Sequence, residues 1–225
     1  VRLARLLDPR PAPLPLVVTP EQVGGPVAWQ DLMRCGALTA VRDASLDTTG
    51  AVAVPASAHV TPAHRALALI ASTGAGALPA RAVLAGVSAA WIHTGLRDGR
   101  PAPRLPVGDS RLEVAHDATV RRPDVSTGTI VRCSPGLASD TMALAGVPVT
   151  TPVRTAADVA CRLPFDHAVP VLTALAAGSA DLAAVDLRVV ERLLEARRRV
   201  VGRPAARRAL AAARAHANGT GASGR

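Results

Sequence analysis

The chain contains no lysine and no tyrosine, and asparagine occurs once, at Asn218. Without lysine, a Schiff base, the phosphate-binding lysine of a P-loop and the lysine of common nuclease sites are all excluded. All 26 basic side chains are therefore arginine. Lys, Asn, Tyr, Phe and Ile share AT-rich codons, so their scarcity reads as mutational bias toward G and C rather than as a need for guanidinium geometry. Aromatic residues are as scarce, with Trp29, Trp91 and Phe165 the only ones. The apolar mass is nearly all Ala, Val and Leu, so a core has to form by close approach of small side chains. Cys35, Cys133 and Cys161 are odd in number, far apart and without CxxC spacing, which excludes a disulfide framework and argues against zinc. No cofactor or metal is expected.

What is present is enough to fold. With 225 residues, 49% of them hydrophobic and 19% charged, the composition is that of a chain that can bury a core rather than stay disordered. The formal charge of +9 is unevenly spread: residues 1–185 hold 16 Arg and 14 acids, whereas residues 186–225 hold 10 Arg and 3 acids. The basic character therefore sits in the C-terminal segment, where an acidic partner would be met. Asp8 and the four prolines from Pro9 to Pro15 interrupt the apolar run that a signal peptide requires. Residues 66–92 are apolar but contain Pro79 and Arg81, and two buried helices fit them better than one membrane span. These readings predict a cytoplasmic protein with no membrane association.

Along the chain, residues 1–26 are Pro-rich and expected to be loosely ordered. Two short helices are expected over 27–46, punctuated by Gly36, with an apolar strand at 51–54 in the place of a wing. Thr61-Pro62 predicts a helix to about Ser72, and a second helix is expected over 79–94, ended by Gly95. Together 27–96 form an expected helical, winged-helix-like module. The stretch 97–110 reads as a boundary loop. Strands are expected at Leu112-Glu113-Val114, at 129–133 and at 147–150, with Arg121-Arg122-Pro123-Asp124 as a turn. Helices are then expected over 152–163, 166–177, 181–201 and 204–217, with Pro170 delaying or bending the second. Residues 218–225 read as a flexible tail.

Catalytic patterns are sparse. GVSAA at 86–90 resembles a nucleophile elbow but lacks the second glycine and lies in a helical run, so Ser88 reads as a small packing residue. His59 and His64 form the only close histidine pair, without a third ligand, and capping or surface roles are expected. His116 and Asp117 follow a strand, where a polar loop is the common case. PVTTPVRTAADVACRLP, 148–164, is the most informative segment. Thr151 is placed to cap a helix, Pro152 suits its first turn, and Arg154 and Asp158 lie one turn apart, where a weak ion pair is expected. On physical grounds it reads as a well-specified strand-to-helix junction.

The succession LAGVSAAWIHTGL (84–96), LEVA (112–115), Arg121-Arg122, TIVRCS (129–134), GVPVTTPVRTAADVACRLP (146–164) and GRPAARRALAAARAHA (202–217) is similar to the actinobacterial proteins grouped with AbiEi-type antitoxins of type IV toxin–antitoxin systems. The similarity covers about residues 52–217, and the block containing Thr151, Pro152, Arg154, Thr155 and Asp158 is its most specific part. The resemblance implies a winged helix-turn-helix followed by an α/β antitoxin domain, here 111–217. It also implies autoregulation of an operon and a nucleotidyltransferase-type toxin as partner. Related chains continue into an endonuclease-like domain, and the alternative reading is a truncated or decayed relative of these that retains a binding scaffold. Family members carry an Arg-rich recognition helix and a basic wing, whereas residues 37–55 hold only Arg42 against Asp43 and Asp47. Phosphate neutralisation dominates DNA affinity, so this module reads as degenerate.

The expectation is therefore an α+β, non-enzymatic, antitoxin-like transcriptional regulator. Its DNA contacts would be weak and salt-sensitive, drawn from Arg197, Arg198, Arg199, Arg203, Arg207 and Arg208, with Arg42 the one N-terminal candidate. The same arginines also fit a solvated helix face with no ligand.

Overall fold

The computed structural model describes residues 17–42, 50–71, 78–102, 112–125, 129–197 and 201–222, with side chains to residue 217. Helix α1 (Pro26–Arg34) begins on a proline, whose missing N–H costs nothing in a first turn. The second helix expected before residue 46 is instead a strand as far as residue 42. Leu38–Arg42 (β1) pairs antiparallel with Val52–Pro55 (β2), Leu38 opposite Pro55 and Arg42 opposite Val52. The physical reason lies in burial: Val41 enters the same core as Val52 and Val54, while Ala53 on the other face packs on Trp29, which a hairpin achieves with few residues. Residues 43–49 lie outside the described residues. Among those described, the expected helix-turn-helix is thus one helix followed by a hairpin.

Helix α2 (Pro62–Ala71) starts on a reciprocal cap in which histidine replaces the usual acid. The Thr61 N–H donates to His64 Nδ1 at 3.1 Å, and the His64 N–H donates to Thr61 Oγ1 at 3.4 Å. The helix expected over 79–94 is shorter, because Val83–Leu84 is a strand (β3) and helix α3 begins only at Gly86 and ends at Thr94. The expected loop after Gly95 contains a small hairpin, Leu96–Arg97 (β4) with Arg100–Pro101 (β5). The Trp91 indole N–H donates to the Ala102 carbonyl at 2.7 Å and ties this hairpin to α3.

Strands Glu113–His116 (β6), Ile130–Cys133 (β7), Thr141–Leu144 (β8) and Val147–Thr150 (β9) join β3 in one five-stranded sheet of order β7-β6-β3-β9-β8. β6 and β7 do pair, but in parallel, with Glu113 opposite Ile130 and His116 opposite Cys133. β3 lies at the centre, antiparallel to β6 and parallel to β9. The module expected over 27–96 and the domain expected over 111–217 therefore share this sheet. They also share a core, in which Leu84, Val114 and Val149 pack with Trp91, Ile92, Leu69 and the β1–β2 hairpin. Successive residues point to opposite faces, and Val83 and Ala115 meet Leu137 on the other side.

After β9 come α4 (Pro152–Arg162), α5 (Phe165–Ala177), α6 (Leu187–Ala196) and α7 (Arg203–Ala222). Pro170 does not delay α5, which begins at Phe165. α6 is shorter than its apolar stripe predicted: the Asp186 side chain caps it, accepting from the Arg188 N–H at 2.8 Å, and Arg197 is already extended. α7 runs through residues 218–222, where a tail was expected. Eight of the nineteen buried residues in the cluster formed by these helices are alanine, the close approach of small side chains that the composition demands. Gly202, with φ +86°, is needed where the chain enters α7, since a Cβ there would collide with the Cys161 carbonyl. The molecule is α+β, and α4 sits between the sheet and the helical layer, packed on α3, α5, α6 and α7.

Candidate functional site

The strand-to-helix junction at β9 and α4 is built as the sequence predicts. Thr151 Oγ1 accepts from the Arg154 N–H at 3.3 Å, Pro152 opens the helix, and the Thr155 hydroxyl meets that of Thr150 at 2.7 Å. The Arg154–Asp158 pair also forms, Nε to Oδ2 at 3.2 Å. It is neither exposed nor isolated: the Arg154 side chain is 3% exposed and that of Asp158 8%. Arg154 also donates through its other two nitrogens, to Asp140 Oδ2 at 2.8 Å and to Ser134 Oγ. Three acceptors from three segments thus hold one buried guanidinium, the condition under which a buried charge is tolerated.

The network continues in both directions as an alternation of sign. Asp140 is also met by Arg197, at 2.5 Å. Asp158 is faced at 3.5 Å by Arg162, which lies 3.6 Å from Glu113, and Glu113 in turn accepts from Arg132 Nε at 3.0 Å. Four guanidiniums thus alternate with three carboxylates, leaving one positive charge. Asp140, Glu113, Ser134, Arg132 and Arg162 were not singled out by sequence reasoning. Glu113 left one usable signal: α3 opens at Ala85-Gly86 without a Ser, Thr, Asp or Asn to cap it, so an acceptor has to come from elsewhere. Glu113 supplies it, taking the Val87 N–H at 3.0 Å, and Gly86 is required because a Cβ would strike that carboxylate.

Two adjoining cavities flank the network and share Arg132, Asp158 and Arg162 in their walls. One, of 600 Å³, lies between α3, β7 and the end of α4, with Val87, Ile130, Val159 and Leu163 among its apolar walls. The other, of 660 Å³, lies between the end of β7, α4 and the end of α6. Four arginines, Arg132, Arg154, Arg162 and Arg197, line it against a single acid, Asp158. Cys161 also borders it, and burial, reinforced by the Asp158 charge, pushes its thiol up, away from the reactive thiolate.

The C-terminal arginines do not form one open face. Arg197 turns to Asp140, and Arg203 donates to the Arg197 carbonyl and lies 3.9 Å from Glu195. Arg207 also binds Glu195, at 2.7 Å, while exposed Arg208 has no partner among the described residues. Arg198 and Arg199 lie outside the described residues. Arg42 ends β1, half-buried. Exposed and without partners among the described residues are Arg188 and Arg192, one turn apart on α6. On α1 the exposed charge is neutral, Arg34 being paired with Asp31 at 2.8 Å.

The remaining polar candidates are structural. Ser88 Oγ accepts from the Glu113 N–H at 2.8 Å and clamps α3 to β6. Asp117 accepts from the backbone of Thr119 and Leu137, which holds its carboxyl below the usual range. His64 caps α2, and burial lowers its pKa. His59 lies 3.4 Å from Asp181. Among the described residues no group of three His, Cys, Asp or Glu could hold a metal ion, and no helix is long and apolar enough to cross a membrane. The chain matches no protein-family model and no curated protein.

Proposed function

We propose that the protein is a non-enzymatic, antitoxin-like transcriptional regulator that contacts DNA weakly and binds a nucleotidyltransferase-type toxin. The observation that carries the non-enzymatic part is the spending of the network's acids on arginine. Asp140, Asp158 and Glu113 are each within 3.6 Å of two guanidiniums, so their oxygens are already engaged in ion pairs within the fold. The order of α1 and the β1–β2 hairpin supports a reduced reader module, smaller than the winged helix-turn-helix that the resemblance implies. The neutral exposed charge of α1 is why the reading draws DNA contact from Arg188, Arg192 and Arg208, exposed on α6 and α7.

The reading is tested by band shift on DNA upstream of the protein's own gene and by co-purification with a nucleotidyltransferase encoded beside it. A salt-sensitive shift together with a stable complex is expected. Metal-dependent cleavage of plasmid DNA, abolished by Asp158→Asn or Glu113→Gln, would overturn it.

A further inference from the structure

We propose that the 660 Å³ cavity between β7, α4 and α6 binds a phosphate group, held by Arg132, Arg162, Arg197 and the hydroxyl of Ser134. The inference stands on the site's own geometry and does not depend on the regulator reading. Arg154 forms the floor: every nitrogen of its guanidinium already has an acceptor, so it fixes the positions of Ser134 and Asp140 without reaching for a ligand.

The groups above it are only partly used. Among the described residues Arg162 forms no ion pair closer than 3.5 Å, leaving its five N–H groups without a short acceptor there. Among the described residues Arg132 spends only Nε, on Glu113, and Arg197 only one terminal nitrogen, on Asp140. These three side chains are 44%, 33% and 27% exposed for Arg132, Arg162 and Arg197, so they are anchored at one side and open at the other. Ser134 is 2% exposed, and its oxygen accepts from Arg154, so its own proton is free to be donated.

Shape selects the ligand class. The three guanidiniums come from a strand end, a helix end and a helix cap, hence from three directions. A planar carboxylate with two oxygens is satisfied by one fork, whereas a phosphate with three terminal oxygens can meet all three donors together. Pro135, Ala157, Leu194 and Val201 give the cavity an apolar side against which the rest of a phosphoester could lie. Its volume falls within the range of about 300–1,000 Å³ typical of small-molecule sites.

The test uses the whole chain and isothermal titration with sodium phosphate against sodium chloride of equal ionic strength. Saturable binding of phosphate is expected, weakened about tenfold or more in Arg162→Gln and in Arg132→Gln, each of which removes one charged donor. Ser134→Ala, which leaves every ion pair in place, is expected to weaken binding several-fold, and Arg100→Gln, an exposed residue that lines neither cavity, to leave it unchanged. Adenosine 5′-monophosphate and a short DNA duplex, each in competition with phosphate, distinguish the sources. Displacement by the nucleotide alone assigns the site to a small phosphoester, and displacement by the duplex assigns it to a nucleic-acid backbone. A phosphate response no greater than that of chloride would overturn the proposal. So would acetate binding as tightly as phosphate, or binding unchanged in both Arg162→Gln and Ser134→Ala.

Discussion

Replacing Arg154 by methionine keeps the unbranched apolar stem of the side chain and deletes a charged group that three acceptors share. Removing one partner of a buried ion pair costs about 3–5 kcal/mol, because the other is left in a medium that solvates it poorly. Here the orphaned acids are not wholly abandoned: Asp140 keeps Arg197 at 2.5 Å and is 20% exposed, and Asp158 keeps Arg162 at 3.5 Å. The lower end of the range applies, about 3 kcal/mol, which for a chain of this size lowers Tm by about 6–12 °C. Urea unfolding and scanning calorimetry at pH 7 measure both quantities. Arg154→Met combined with Asp158→Asn is expected to lose less than the two single losses added, with a coupling of about 1–2 kcal/mol. A loss below about 1 kcal/mol for Arg154→Met would place the network in the solvated regime of surface pairs and refute the reasoning.

Thr151→Ala removes the cap of α4 and is expected to cost about 1 kcal/mol, read as a small fall in Tm, without changing any binding activity; lost binding at unchanged Tm would make the junction an interaction surface. His93 is 2% exposed, and its Nε2 bonds the Thr150 carbonyl at 2.8 Å while Nδ1 is buried without a partner. Burial, helped by the Arg65 charge, holds its pKa below the ordinary 6.5, so the unfolded chain takes up the proton first. Its contribution is complete above pH about 6.5 and is lost as pH falls through the lower folded value. His93→Gln should flatten the fall of Tm between neutral and mildly acidic pH, and parallel curves for the two proteins would contradict this.

Local signals carried the strand-to-helix junction. Thr151, Pro152, Arg154, Thr155 and Asp158 lie within two turns, so cap, first turn and ion pair were all readable in sequence. Their depth was not, because burial comes from partners 14 to 20 residues away, Asp140 and Ser134, in a segment whose strand β8 had no alternating pattern to announce it. Glu113 lies in a strand that alternation predicts, but alternation does not show that helix α3 sits on its side and needs its carboxylate. β1 and β3 were read as helix because short apolar runs of Ala, Val and Leu suit either state until a pairing partner decides. The C-terminal arginines read as one cluster, since composition cannot tell that Asp140 and Glu195 pair with three of them, Arg197, Arg203 and Arg207.

The measurement that bears most directly on the proposed role is a fluorescence-anisotropy titration of the upstream DNA at several salt concentrations. It compares the wild type with the Arg188→Ala, Arg192→Ala, Arg208→Ala triple variant and with Arg42→Ala. Each phosphate contact contributes about −0.9 to the slope of log affinity against log salt, so the triple variant should bind more weakly with a slope shallower by about 2–3. Arg42→Ala should leave both unchanged. A sequence-specific complex abolished by Arg42→Ala alone, with the triple variant behaving as wild type, would contradict the account and make the N-terminal helix and hairpin the reader.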